Sequence, residues 1–391
     1  MCLFKYQDYK DEHSRPVRVT YIALITCLTI LFTWLIMAGK FTGELLRSVA
    51  DIDTPELIDL YTISANNSGQ QRKSEVVLMP IDGCSRHDVT RVLERLHQLP
   101  VAAVGVDVTF PYPESEDSAL LQAIMSSDRI VMASREYGSY FEDALVEQGV
   151  AFGSIQLDMN TRYDIVRTFV PAEIEGTDTI WSFEAQLMRM AGKKIHRAFP
   201  LNQSSYIAYS KVRFDTLPAL QLLDPEADIA LMAADLEERI VIIGDMESVA
   251  DMYRTPIQSD MPGMVIHAYA LNTLLQKRHI GFLPEYMSWI IALCLCVLFS
   301  YLMLICKWAG KDREGICLRI IQFLLLFIVV GAGCIAFDRC DYYIDMEPVF
   351  LALAIQAVVL DISVGILSFF FKSNADKKIC LDTKCPNRRT D

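Results

Sequence analysis

Four apolar runs, one near the start and three crowded toward the end, constrain this chain more than any other feature. Each is long enough for a bilayer, which takes about 20 predominantly apolar residues in a helix. They cover residues 19–39, 285–306, 316–337 and 347–371 of the 391 in the chain. Residues 40–284 lie between the first two, enough for one sizeable core without help from disulfides. The expected plan is a polar domain beside a membrane, with one helix before it and three after it.

Lys and Arg near the runs set the expected orientation. Lys5, Lys10, Arg15 and Arg18 precede the first run, in residues 1–18. Lys307, Lys311, Arg313 and Arg319 lie between or just inside the second and third, and residues 372–391 hold six more basic residues. The third and fourth runs are joined by Asp338, Asp341, Asp345 and Glu347 against Arg339 alone. Both termini are therefore expected in the cytosol and the large domain outside, in a bacterial cytoplasmic membrane. The first run ends without a small-residue cleavage pattern and reads as an uncleaved anchor.

Residues 40–284 hold 21 Lys and Arg against 35 Asp and Glu, a net of −14. So acidic a domain is a poor partner for nucleic acid. Its one cysteine, Cys84, can form no internal disulfide.

Inside this region strand and helix patterns alternate. Val76–Ile81, Val101–Phe110, Arg129–Ser134 and Arg239–Gly244 read as strands. Ser85–Gln98, Asp117–Ser127, Trp181–Ala191 and Gly263–Lys277 read as helices. Ser85 to Asp88 carries a capping-box pattern. Lys40–Asp59 reads as a helical continuation of the first run. Val150–Leu157 and Ile165–Ala172 read as an antiparallel pair or meander, and Tyr206–Tyr209 as a weak strand. The expected fold is one α/β domain, a mixed and largely parallel sheet with helices on its faces.

Three segments resemble the CHASE type 2 family, the cyclase- and histidine-kinase-associated sensory extracellular domains. They are Val76 to Asp82 with Val104 to Phe110; Asp164-Ile165-Val166-Arg167; and Arg239 to Gly244 followed by Asp251, Thr255-Pro256 and Pro262 to Ala268. The resemblance covers about residues 41–279. It implies a bacterial extracytoplasmic sensor of an unknown small ligand, normally set above a kinase or cyclase. Nothing of that kind follows the fourth run, so the expected effector is a separate protein, and a homodimer is compatible with the plan.

Asp82, Asp107 and Asp245 fall at the carboxyl ends of expected strands, the edge where open parallel sheets bind ligands. With Asp251 and His267 they form the candidate ligand-binding set. The same acids could equally cap helices and satisfy loop amides. Asp164 and Arg167 are expected to fix their turn by an ion pair. Gly244 closes the last strand, while Thr255, Pro256, Pro262 and Gly263 read as turn and helix-start residues. No phosphate-cradling Gly-rich loop, His-Glu-x-x-His or Gly-x-Ser-x-Gly is present, so no catalytic residue, cofactor or metal is expected. Asp361 lies inside the fourth run, where a carboxylate is costly and marks pairing or function. It is expected to contact Gln322 and Arg319 of the third run, or a partner's membrane helix. The leading expectation is a non-enzymatic membrane sensor, followed by an envelope scaffold and, distantly, an envelope hydrolase.

Overall fold

A computed structural model describes residues 14–38, 56–67, 72–134 (except 111, 113 and 116), 140–157, 164–209, 212–308 and 312–363. The expected helix over Lys40–Asp59 falls largely on residues 39–55. The end of the fourth apolar run and residues 372–391 also lie outside the described residues. The chain divides into two compact units: residues 58–281 with 337–342, and the remainder.

The first unit is an α/β layer structure. Its central sheet has six strands: β1 (Arg72–Pro80), β2 (Ala103–Asp107), β3 (Ile130–Ser134), β4 (Ala151–Ser154), β9 (Val212–Thr216) and β10 (Ile240–Gly244). The order is β4-β3-β2-β10-β1-β9, and every pairing is parallel. Parallel strands covered by helices on both faces need apolar residues at successive positions rather than alternating ones. Ile240-Val241-Ile242-Ile243-Gly244 meets that demand and is buried throughout. Ile240 and Ile242 enter one core with the helices Phe183–Met190 and Gly263–Leu275, while Val241 and Ile243 enter the other with Arg86–Gln98 and Asp117–Met125. Each such buried side chain contributes roughly 1.5–3 kcal/mol.

Local signals explain the element ends. Ser85 caps the Arg86–Gln98 helix in a complete capping box with Asp88. Ser182 caps the Phe183–Met190 helix through the Ala185 amide.

The expected antiparallel pair in the middle of the domain does not form. β4 instead extends the parallel sheet beside β3. Gly153 makes this possible: a Cβ there would lie 2.4 Å from Phe183 Cα, so only glycine admits the helix backbone. The second half of the expected pair divides between β5 (Thr168–Phe169), which pairs with β8 (Ser205–Tyr206), and β6 (Ala172–Glu175), which forms a hairpin with β7 (Asp178–Trp181). Among the described residues, antiparallel pairing is thus confined to two-stranded pieces outside the main sheet.

The second unit is helical. Glu285–Cys306 and Ile316–Cys340, the latter running on into the first unit, are long and apolar enough to cross a membrane. The first apolar run yields a shorter apolar stretch, Ile22–Met37, and the fourth a helix described over residues 347–363. Two of the four expected spans therefore meet the length criterion among the described residues. Polar side chains join these helices: Gln322 Nε2 donates to the Leu353 carbonyl at 2.7 Å, and Gln356 Nε2 to the Cys296 carbonyl at 2.6 Å and to Ser300 Oγ at 2.8 Å. In an apolar surround such bonds hold helices together where no hydrophobic effect does. Arg319 forms a two-point ion pair with Asp361, one arm at 2.9 Å. Gln322 does not join that pair; its side chain turns to Leu353 and Gln356.

Candidate functional site

The registers of β1, β10 and β2 place Pro80, Gly244 and Asp107 side by side, so these strands end together. The loops that leave this carboxyl edge carry the candidate residues. After β1, Gly83 takes φ +76, a turn conformation that side-chained residues rarely adopt. The turn turns Asp82 toward the β10 loop, where its Oδ1 accepts the amides of Met246 (3.0 Å) and Glu247 (2.9 Å). Asp245 Oδ1 accepts Glu247 (2.9 Å) and Ser248 (3.0 Å). The two carboxyl groups also lie close enough to shift each other's proton affinity. Burial, and then Asp245, hold Asp82 above the usual carboxylate range, while Asp82 holds Asp245 below it. Asp82 therefore holds a proton more tightly than Asp245 does. Beside it, burial followed by the charges of Asp88 and Asp82 pushes the Cys84 thiol up, away from the thiolate form.

His267 forms a second centre. It is 3% exposed, with Nδ1 2.6 Å from Glu184 Oε1, itself 2% exposed. The ring meets Phe183 edge-on at 5.7 Å. Burial alone pulls the imidazolium pKa down, but Asp107, Glu184 and Asp251 together raise it to about 9. The ring is therefore a buried cation at neutral pH, facing three carboxylates.

Asp251 approaches the start of the Gly263–Leu275 helix, whose first turn presents free amides and the positive dipole end. A Cβ on Gly263 would lie 2.5 Å from Asp251 Oδ2, so glycine is what admits the carboxylate. Pro262 occupies the N-cap position, and Tyr253 OH donates to Asp251 at 3.2 Å. Thr255 closes a tight turn on Gln258 with Pro256 buried beside it. Gly244 serves packing, since a Cβ there would lie 2.9 Å from Met264 Sδ.

The structure thus draws the five candidate ligand residues into two groups, Asp82 with Asp245, and Asp107 with Asp251 around His267. Glu184 completes the second group and was missed in the sequence. An acid in a first helical turn is an ordinary helix-start residue there, and nothing local marks it as buried.

The expected Asp164–Arg167 ion pair is corrected. Asp164 has φ +52, and Arg167 turns inward to Asp59, donating from Nε and Nη2 at 2.8 Å each. Both side chains are buried, at 6% and 1% exposure. A bidentate partner 108 residues away offers a guanidinium far more than a screened contact across an exposed turn. The pair ties the Leu57–Asn67 helix to the β5 segment, and Thr62 Oγ1 to Tyr206 OH at 2.8 Å adds a second tie.

The arrangement can present carboxylate oxygens to ammonium or hydroxyl groups. Among the described residues, no three His, Cys, Asp or Glu side chains converge as a metal ion requires.

Comparison with known proteins returned one positive finding: the CHASE2 domain model matches residues 51–304, which include residues 58–281 of the α/β unit and most of the apolar helix that follows them. Searches of curated proteins and of solved structures gave no match. The chain belongs to the CHASE2 family of sensory extracellular domains.

Proposed function

We propose that this protein is an integral membrane sensor without enzymatic activity, whose α/β unit detects a small ligand or an envelope partner and signals through a separate effector. The observation that supports the reading is that Asp82 with Asp245, and Asp107 with Asp251 around His267, form two groups at the carboxyl edge of an open parallel sheet, the edge where such folds take ligands. Family membership supports the sensory role. In this reading the Lys- and Arg-rich connections lie in the cytosol of a bacterium and the α/β unit faces outward. A ligand is bound through ammonium or hydroxyl groups, which suit the carboxylates of that edge. Its contacts shift the strand-end loops, and the Asp59–Arg167 pair carries the shift to the Leu57–Asn67 helix, which follows the first apolar run after 17 residues of chain.

Mild crosslinking of the full-length protein in its native membrane, followed by identification of what co-purifies, tests the signalling half. Recovery of a kinase, a cyclase or a comparable regulatory enzyme is the expected result. Recovery of the protein alone, or only of wall-assembly components, would overturn the effector and leave a scaffold.

A further inference from the structure

The Ile229–Leu236 helix has the composition of a core helix and the position of a surface one. Its sequence, Ile-Ala-Leu-Met-Ala-Ala-Asp-Leu, is apolar everywhere except at Asp235. A helix apolar on all sides is normally buried, since a surface helix turns a polar side to water. Here only Leu236 is fully buried. Met232 and Ala233 rest half-buried on the core that contains Val77, Leu93 and Val241. The outer side stands in solvent: Leu231 is 61% exposed and Ile229 39%, with Ala230 and Ala234 exposed beside them. Spacings of three and four residues set Ala230, Leu231 and Ala234 together on that side. Leu220, in the preceding Ala219–Leu223 helix, is a further apolar side chain left to water, at 53% exposure.

This apolar side is ringed by acid. Residues 217–238 contain Asp224, Glu226, Asp228, Asp235, Glu237 and Glu238 and no Lys, Arg or His. All six are exposed, and none makes an ion pair among the described residues. Asp228 caps the helix three residues before Leu231, and Asp235 follows four after it, so carboxylates flank the exposed leucine.

The bases that touch this stretch are engaged elsewhere. Arg95 donates to the Leu222 carbonyl at 2.8 Å, and Arg239 to Asp215 at 2.7 Å and to the Asp235 carbonyl at 3.3 Å. Lys73 pairs with the same Asp215. On the neighbouring Arg86–Gln98 helix Arg91 and Glu94 are both exposed and offset each other. Arg213 of the edge strand β9 is exposed as well, one charge against six.

Acid around an apolar centre selects what can cover it. A second copy docking through the same side would set these acids against themselves, and an anionic lipid surface would meet the same repulsion. A cationic amphipathic segment answers both features, its apolar side covering Leu231 and its Lys or Arg side chains meeting the rim. We propose that the outer side of the Ile229–Leu236 helix is a docking surface for a cationic amphipathic peptide segment. The inference uses neither the ligand set at the carboxyl edge nor the membrane reading, so it stands or falls apart from both.

The test titrates the full-length protein, in nonionic detergent, with an amphipathic Leu/Lys helical peptide and with its Leu/Glu and Ser/Lys counterparts. Affinity is read from the anisotropy of the labelled peptide, and the place of binding from amide hydrogen exchange. At about ten times its dissociation constant the Leu/Lys peptide should slow exchange over residues 229–236 about tenfold. Leu231→Ala should weaken its binding about tenfold, and Asp235→Asn/Glu238→Gln about fivefold, with the thermal midpoint of each variant unchanged. Equal binding of either counterpart peptide, slowing confined to other segments, or an affinity indifferent to Leu231→Ala would overturn the proposal. Slowing of residues 229–236 on raising the protein concentration alone, or on adding phosphatidylglycerol vesicles, would assign the surface to a second copy or to lipid and overturn it equally.

Discussion

The two edges of the sheet treat charge in opposite ways. At the carboxyl edge the charged groups face one another: His267 is enclosed with Glu184, and Asp82 and Asp245 lie close enough to shift each other's proton affinity. At the amino edge Lys194, Arg197 and Lys277 stand in solvent. A buried charge needs its partner, since removing one leaves the other desolvated and uncompensated. An exposed charge is free to serve something outside the chain. Substitutions at the buried pairs are therefore expected to act on folding, and those at the exposed charges of the second edge to leave it nearly unchanged.

The largest effect expected from this contrast comes from stripping a buried partner. Glu184→Ala leaves His267 without its acceptor, and Arg167→Leu does the same to Asp59. Each is expected to cost about 3–5 kcal/mol, read as a fall in the denaturation midpoint of the purified full-length protein. A change below about 1 kcal/mol in either would mean that water reaches the pair, and the contrast between the edges would fail.

Next in size is the pH dependence of His267. Its folded pKa of about 9 exceeds the ordinary 6.5, so the folded chain holds this proton more tightly than the unfolded one. That stabilisation is complete below about pH 6.5 and is lost as pH rises through 9. It amounts to on the order of 3 kcal/mol. Unfolding midpoints measured from pH 6 to 10 should fall across that window in the native protein and stay flatter in His267→Gln.

Gly153→Ala probes the neutral packing that holds the first edge. The new Cβ meets helix backbone at Phe183, which cannot swing aside as a side chain would. A loss of about 1–3 kcal/mol is expected. The smallest effect belongs to the second edge: Lys194→Ala and Arg197→Ala should each change stability by no more than about 0.5 kcal/mol.

How much of this was legible in the sequence follows from the range of each interaction. Ile240-Val241-Ile242-Ile243 announced a doubly covered parallel strand because four successive apolar residues suit little else. Ser85 and Asp88 announced their cap because the motif spans three residues. β9 was missed because it pairs on one side only and exposes Arg213 and Thr216, so neither an apolar run nor clean alternation marks it. Strand-end aspartates could be placed on one edge by the topology rule, but their division into two groups depends on loop paths. The partners of Arg167 and His267 lie 108 and 83 residues away, beyond the reach of any local pattern. Opposite charges three apart at 164 and 167 gave a plausible local pair, and burial of Arg167 against Asp59 overrode it.

The central claim, that the carboxyl edge is where this protein senses, is most directly tested by hydrogen exchange on the full-length protein in nanodiscs. Exchange would be compared with and without a small-molecule extract of the cells that produce it. The account predicts slowed exchange in the strand-end loops, residues 82–84, 107–110 and 245–251, and loss of that slowing in Asp107→Asn. Slowing confined to other segments, or none at all, would contradict it.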